Sequence, residues 1–165
     1  MRLFIGIKID DKAKKKINSY FNLLYENKVT GNYTKISNLH MTLVFIGEIS
    51  EDKVEVIKGI LRSIEIKTNV INITKMTMLK DILIGEVKEE KALLDMYDSI
   101  KAKLREAKIN FDDHSLYPHI TLIRKVNNQE KFVGKDMNID SYFDHITLFE
   151  SKRINNDLVY IDLGK

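Results

Sequence analysis

Tyr117-Pro118-His119-Ile120-Thr121-Leu122-Ile123-Arg124 repeats the core of an earlier stretch, Leu39-His40-Met41-Thr42-Leu43-Val44-Phe45-Ile46-Gly47. Both hold His-x-Thr-Leu. In a β-strand, residues two apart share a face, so each stretch would present an imidazole beside a hydroxyl and turn its x and Leu positions the other way. His40 and His119 stand 79 positions apart in a chain of 165, close to half its length. That separation suggests a duplicated unit and a site shared by its two halves.

Two imidazoles across one cleft can divide a reaction between them, one taking a proton and one giving it, near neutral pH. Thr42 and Thr121 can donate hydrogen bonds to an anion held between them, and a phosphodiester is the obvious anion. With these residues the chain resembles the 2H phosphoesterases, and within them the RNA 2′,3′-cyclic phosphodiesterases, also called 2′,5′ RNA ligases. The resemblance is carried by residues 39–48 and 118–124, and extends to the opening Met1-Arg2-Leu3-Phe4-Ile5-Gly6-Ile7 and the closing Ile146-Thr147-Leu148-Phe149-Glu150-Ser151, with Val159-Tyr160 after it. It implies a bilobal, pseudo-two-fold α+β fold, with two mainly antiparallel sheets flanking a central cleft and helices outside. It also implies that His40 and His119 are catalytic, His119 as base and His40 as acid, and that Arg124 joins Thr42 and Thr121 in holding the substrate. The implied reaction opens a 2′,3′-cyclic phosphate at an RNA or nucleotide end to a 2′-phosphate, with reversible 2′,5′ RNA ligation beside it.

Composition fits that class without naming it. The chain is 44% hydrophobic and 31% charged, ordinary values for a globular protein, and is read as one domain, 1–165, made of two lobes. Net charge is only +3, enough to steer a small anion but far from a nucleic-acid coat. There is no cysteine, which excludes disulfides and thiolate metal sites. No apolar run reaches membrane length, and the N-terminal apolar stretch is too short for a signal peptide, so a cytoplasmic, membrane-free monomer is expected. The histidines lack ligand spacing and threonine is a poor ligand, so neither metal nor cofactor is expected.

Taken in order, residues 2–9 read as a strand, followed by a helix capped by Asp10 or Asp11, with Ala13, Ile17, Phe21 and Leu24 on its inner face. Lys12, Lys14, Lys15 and Lys16 crowd its start, against the helix dipole. They form either a solvated face or a phosphate-steering patch. Residues 27–35 read as a loop and 38–46 as the first His-x-Thr strand, ended by Gly47. Ser50 is expected to cap a helix bearing Val54, Ile57, Leu61 and Ile64. Residues 66–79 and 82–87 read as an antiparallel pair, and 89–108 as the longest helix. After a turn at 110–115 comes the second His-x-Thr strand. Residues 127–141 are polar with a short helical piece near 129–133, and strands are expected at 143–150 and 157–163.

A third triplet, His145-Ile146-Thr147, lies too soon after His119 to be half of a duplication. His145 is assigned to a neighbouring strand lining the cleft, not to catalysis. His114 is expected at the surface, Phe45 in the core, and Tyr117 near a base. Arg124 poses a difficulty: strict alternation would set it opposite to His119, so the strand must twist, bulge or end there. The rival readings are a 2H phosphodiesterase for another cyclic or 2′,5′-linked nucleotide, and an RNA-end binding module without turnover.

Overall fold

The computed structural model describes residues 1–164. Strand β1 (Arg2–Lys8) is buried along Leu3–Ile7, where four large apolar residues and Gly6 suit an interior strand with neighbours on both sides. Asp10 then starts α1 (Asp11–Glu26): its Oδ1 accepts the Ala13 amide at 2.7 Å, and Ala13, Ile17, Phe21 and Leu24 face inward. The same carboxylate also accepts the Tyr142 amide at 2.7 Å, tying the helix start to a distant strand. Strand β2 (Thr30–Tyr33) follows, then a single 3₁₀ turn at Ile36–Asn38 and strand β3 (His40–Glu48). Helix α2 (Val54–Ser63), the hairpin β4 (Val70–Leu79) and β5 (Ile82–Val87), and α3 (Lys91–Glu106) lead to β6 (His119–Asn127). Three strands close the chain: β7 (Asp136–Tyr142), β8 (Thr147–Ile154) and β9 (Asp157–Asp162).

All pairings are antiparallel, and the strands run β7-β4-β5-β6-β3-β1-β8-β9, with β2 added to β6. This order reads alike from both ends about its middle. β6 answers β3, β5 answers β1, β4 answers β8 and β7 answers β9. The halves meet at a seam where β3 and β6 share one residue pair, Met41↔Ile120. The expected two sheets are thus present as two half-sheets, joined where the two His-x-Thr strands touch. Leu43, Leu122, Met41 and Ile120 are buried in the core below the seam.

Both seam strands carry the same irregularity. On β3 the register passes from Gly6↔Thr42 to Ile5↔Val44, leaving Leu43 extra. On β6 it passes from Ile84↔Thr121 to Leu83↔Ile123, leaving Leu122 extra. These are β-bulges, in which two residues oppose one and the alternation of faces changes phase. Thr34 supports the second: its amide donates to Leu122 O at 2.8 Å and its hydroxyl to Thr121 O at 3.0 Å. Beside it, Gly31 (φ +140°) runs so close to β6 that a Cβ would lie 2.7 Å from Arg124 O, so only glycine fits.

Several expectations are corrected. The loop at 27–35 contains β2, and the polar stretch 127–141, besides the short helical turn expected there (Glu130–Phe132), contains most of β7. Ser50 makes no capping bond to a helix amide; a 3₁₀ turn at Glu51–Lys53 intervenes, and α2 begins at Val54. Helix α3 has 16 residues, the same as α1, and Ala107 lies exposed beyond its end. Strand β8 begins at Thr147, later than expected. Among the described residues no helix is long and apolar enough to cross a membrane.

Candidate active site

The Met41↔Ile120 pair fixes what lies on either side of it. In an antiparallel ladder the flanking residues follow, so His40 comes opposite Thr121 and Thr42 opposite His119. Met41 and Ile120 are wholly buried, whereas His40, Thr42, His119 and Thr121 alternate with them and are not. The two His-Thr pairs therefore occupy one face of the sheet, on either side of a local two-fold through the seam.

Each imidazole is held in the same way. His40 Nδ1 donates to Asn38 O at 2.8 Å, and His119 Nδ1 donates to Tyr117 O at 2.6 Å. A carbonyl oxygen can only accept, so the proton of each neutral ring sits on Nδ1 and the Nε2 lone pair is left for chemistry. In the first lobe Thr42 Oγ1 lies 2.7 Å from His40 Nε2. The carbonyls are themselves fixed. Buried Asn38 donates from Nδ2 to Leu158 O at 2.8 Å and accepts the Tyr160 amide at 3.3 Å. The Pro118 carbonyl accepts the Val87 amide at 3.0 Å. Upstream, Lys101 and Arg105 grip Asp113, at 3.0 and 2.5 Å, while the Tyr97 hydroxyl donates to His114 O. The turn that delivers Tyr117 is thereby pinned to α3.

The surroundings of the two rings differ. His40 sits among aromatic rings, with centroids of Phe4 at 4.8 Å, Tyr160 at 5.0 Å and Phe149 at 5.9 Å. Burial among them lowers its pKa from 6.5 to about 4. The hydrogen bond to Asn38 opposes the fall, and the positive charges of Arg124 and His119 add to it. His119 has a single ring neighbour, Tyr117, at 5.4 Å. The Tyr117 hydroxyl donates to Glu86 at 3.3 Å, and burial and that carboxylate raise its pKa. On the flanking strands, Lys8 pairs with His40 and Glu86 with His119. Lys8 is itself bridged to Asp162 at 2.8 Å.

Arg124 is exposed, while Leu122 and Ile123 are both buried. The bulge at Leu122 thus returns Arg124 to the face of His119 and Thr121, and its charge is felt at His40. Its counterpart across the two-fold is Phe45, half-buried, with the Arg2 guanidinium 4.8 Å above its ring. The third triplet is built differently. Thr147 is fully buried with an unpartnered hydroxyl, and His145 lies in a bend before β8, 2.5 Å from Asp144. His145 is therefore off the strand to which its sequence context assigns it. His114 is exposed, its Nδ1 donating to Ser115 O at 3.0 Å. Among the described residues no group of three or more His, Cys, Asp or Glu could hold a metal ion.

The sequence reading did not single out the aromatic collar of Phe4, Phe149 and Tyr160, or the carbonyls of Asn38 and Tyr117. The carbonyls have a sequence signal: each lies two residues before its histidine.

A family model described as LigT like Phosphoesterase matches residues 7–83. The RNA 2′,3′-cyclic phosphodiesterase of Archaeoglobus fulgidus is 30% identical, over 75% of this chain and 72% of its own. That of Methanocaldococcus jannaschii is 28% identical over 97% and 96%. Among solved structures, E. coli LigT complexed with 3′-AMP superposes with a TM-score of 0.85 at 19% identity, covering 99% of this chain and 95% of that one.

Proposed function

This chain belongs to the LigT-like, or 2H, phosphoesterase family, and from that premise we propose that it hydrolyses 2′,3′-cyclic phosphate ends of RNA or nucleotides to 2′-phosphomonoesters. The observation that carries the reading is the single seam pair Met41↔Ile120, which sets two His-Thr pairs on one face about a two-fold. A phosphorus centre on that axis has an imidazole on each side, as in-line displacement requires. The relatives named above for this activity support the choice of a cyclic phosphate.

In this reading His119, its Nδ1–H fixed on Tyr117 O, takes a proton from water through Nε2. The water oxygen bonds to phosphorus, the bond from phosphorus to the ribose 3′ oxygen breaks, and protonated His40 gives its proton to that oxygen. Each transfer is worth about 10²- to 10⁴-fold in rate. Thr42, Thr121 and Arg124 hold the non-bridging oxygens as charge builds on them. Burial lowers the His40 pKa to about 4, so the acid role depends on the substrate. The phosphodiester anion offsets the charges of Arg124 and His119 and draws a proton onto His40 as it binds. Ligation follows the same course with a 5′-hydroxyl in place of water: its oxygen gives its proton to His119 and bonds to phosphorus, the bond to the 3′ oxygen breaks, and His40 protonates that oxygen, which leaves a 2′,5′ linkage.

The test is incubation with a 2′,3′-cyclic mononucleotide, a cyclic-phosphate-ended oligonucleotide and a 2′,5′-dinucleotide in excess chelator, with products separated as 2′- or 3′-phosphates. Exclusive 2′-phosphate from the cyclic substrates is expected. Binding without turnover would leave the site as an RNA-end receptor and refute the catalytic reading.

A further inference from the structure

Asp11, Lys14, Lys15 and Asn18 recur at helical spacing along one flank of α1, beside the stripe that it buries. With Ile36 they line an open groove. Of the four lysines at the start of this helix, only Lys14 and Lys15 line it; Lys12 and Lys16, set round the helix from them, are exposed. Neither Lys14 nor Lys15 is bridged to an acid among the described residues, while Lys8 and Lys35 nearby are each matched to a carboxylate. The groove thus offers two unmatched ammonium groups against one carboxylate. Lysines in the opening turns of a helix also oppose its dipole, so stability does not account for them.

The far wall of the groove is tied to the candidate site by a short length of chain. Ile36 opens the 3₁₀ turn that ends at Asn38, whose carbonyl holds His40. His40 is four positions after Ile36, so at full extension no more than about 14 Å of chain lies between them. The wall is therefore within reach of the last few nucleotides of a strand whose end occupies the His40–His119 face.

Resting on the function proposed above, we propose that the Lys14–Lys15 flank of α1 is a phosphate track for the single-stranded RNA that precedes the reactive end, so that the protein favours oligonucleotide over mononucleotide substrates. Asn18 supplies an amide to the same backbone, and Ile36 an apolar wall for sugar or base.

The experiment compares the intact protein with Lys14→Gln/Lys15→Gln, neither residue belonging to the catalytic face. Two ligands share one reactive terminus: a 2′,3′-cyclic mononucleotide and a dye-labelled 8-mer ending in the same nucleotide. Fluorescence anisotropy across a salt series reads binding without turnover. The slope of log affinity against log salt should become shallower by about 0.7 for each lysine removed, and 8-mer affinity at low salt should fall on the order of tenfold. Mononucleotide kcat and KM should not change. Equal 8-mer binding and equal salt slopes in the two proteins would overturn the track. So would an equal loss on the mononucleotide, since that marks damage to the reacting centre. Turnover by the unaltered protein judges the proposed reaction separately: its absence from both the mononucleotide and the 8-mer sinks that reaction, while the anisotropy series still decides the track.

Discussion

Burial of His40 among Phe4, Tyr160 and Phe149 makes the stability of the protein depend on pH in a way that one substitution should remove. The folded pKa is about 4 and the unfolded value 6.5. Between these limits the unfolded chain binds the proton and the folded chain does not, so stability falls as pH drops through 6.5 and the loss is complete below about 4. At about 1.4 kcal/mol per pH unit the full loss is about 3 kcal/mol, and at pH 5 it is already about 2 kcal/mol relative to pH 8. Exchanging His40→Gln removes the titrating group, while the carboxylates that protonate over the same range stay common to both proteins. Urea unfolding at pH 8 and pH 5 should therefore show a drop about 2 kcal/mol larger in the unaltered protein. Equal drops would mean that His40 keeps an ordinary pKa and that the aromatic collar does not exclude water from it. The argument for substrate-driven protonation of His40 would then fail too.

Other outcomes follow from the same geometry. A 2′-phosphate product or inorganic phosphate should raise the His40 pKa, so that its affinity weakens as pH rises from 5 to 8; an NMR titration of the ring that does not move on saturation would contradict this. Replacing His40 or His119 with alanine should cost at least about 10²-fold in kcat with folding intact by circular dichroism, whereas His145→Ala should leave turnover near that of the parent. Thr147→Val removes a buried hydroxyl that has no partner and should add about 1 kcal/mol of stability, read as a rise in Tm of about 2–4 °C. Asp10→Ala loses both the α1 cap and the Tyr142 amide contact and should cost about 1–2 kcal/mol in denaturant unfolding.

The site was the more legible part of this chain because it lies within short, repeated, period-two segments. His40, Thr42, His119 and Thr121 share a face for the reason that their spacing suggests. Arg124 could not be placed by alternation, since the bulge that turns it is created by register against β5 and not by any residue of its own. The aromatic collar was out of reach for a similar reason: Phe4, Phe149 and Tyr160 come from three strands and meet His40 only once β1, β8 and β9 are laid side by side. Strand β7 was a missed signal. Asp136-Met137-Asn138-Ile139-Asp140-Ser141-Tyr142 alternates exposed and buried without a break, but its polar content masked the period. Strand β2, with no buried residue, had no such pattern, and the bulged β6 alone gives it a place.

The register also shows where the two halves of the sheet differ. Were they identical, a ligand and its half-turn image would fit equally well, and scission could choose neither oxygen of a cyclic diester. Arg124 is answered by Phe45, and the Glu86 beside His119 is answered by the Lys8 beside His40. These substitutions give the cleft a direction, with a guanidinium and a carboxylate in one lobe and aromatic rings around the histidine of the other. Under the proposed reaction, a ribose entering such a cleft would have one favoured way round, and regiochemistry would be inherited from broken symmetry instead of from the imidazoles themselves.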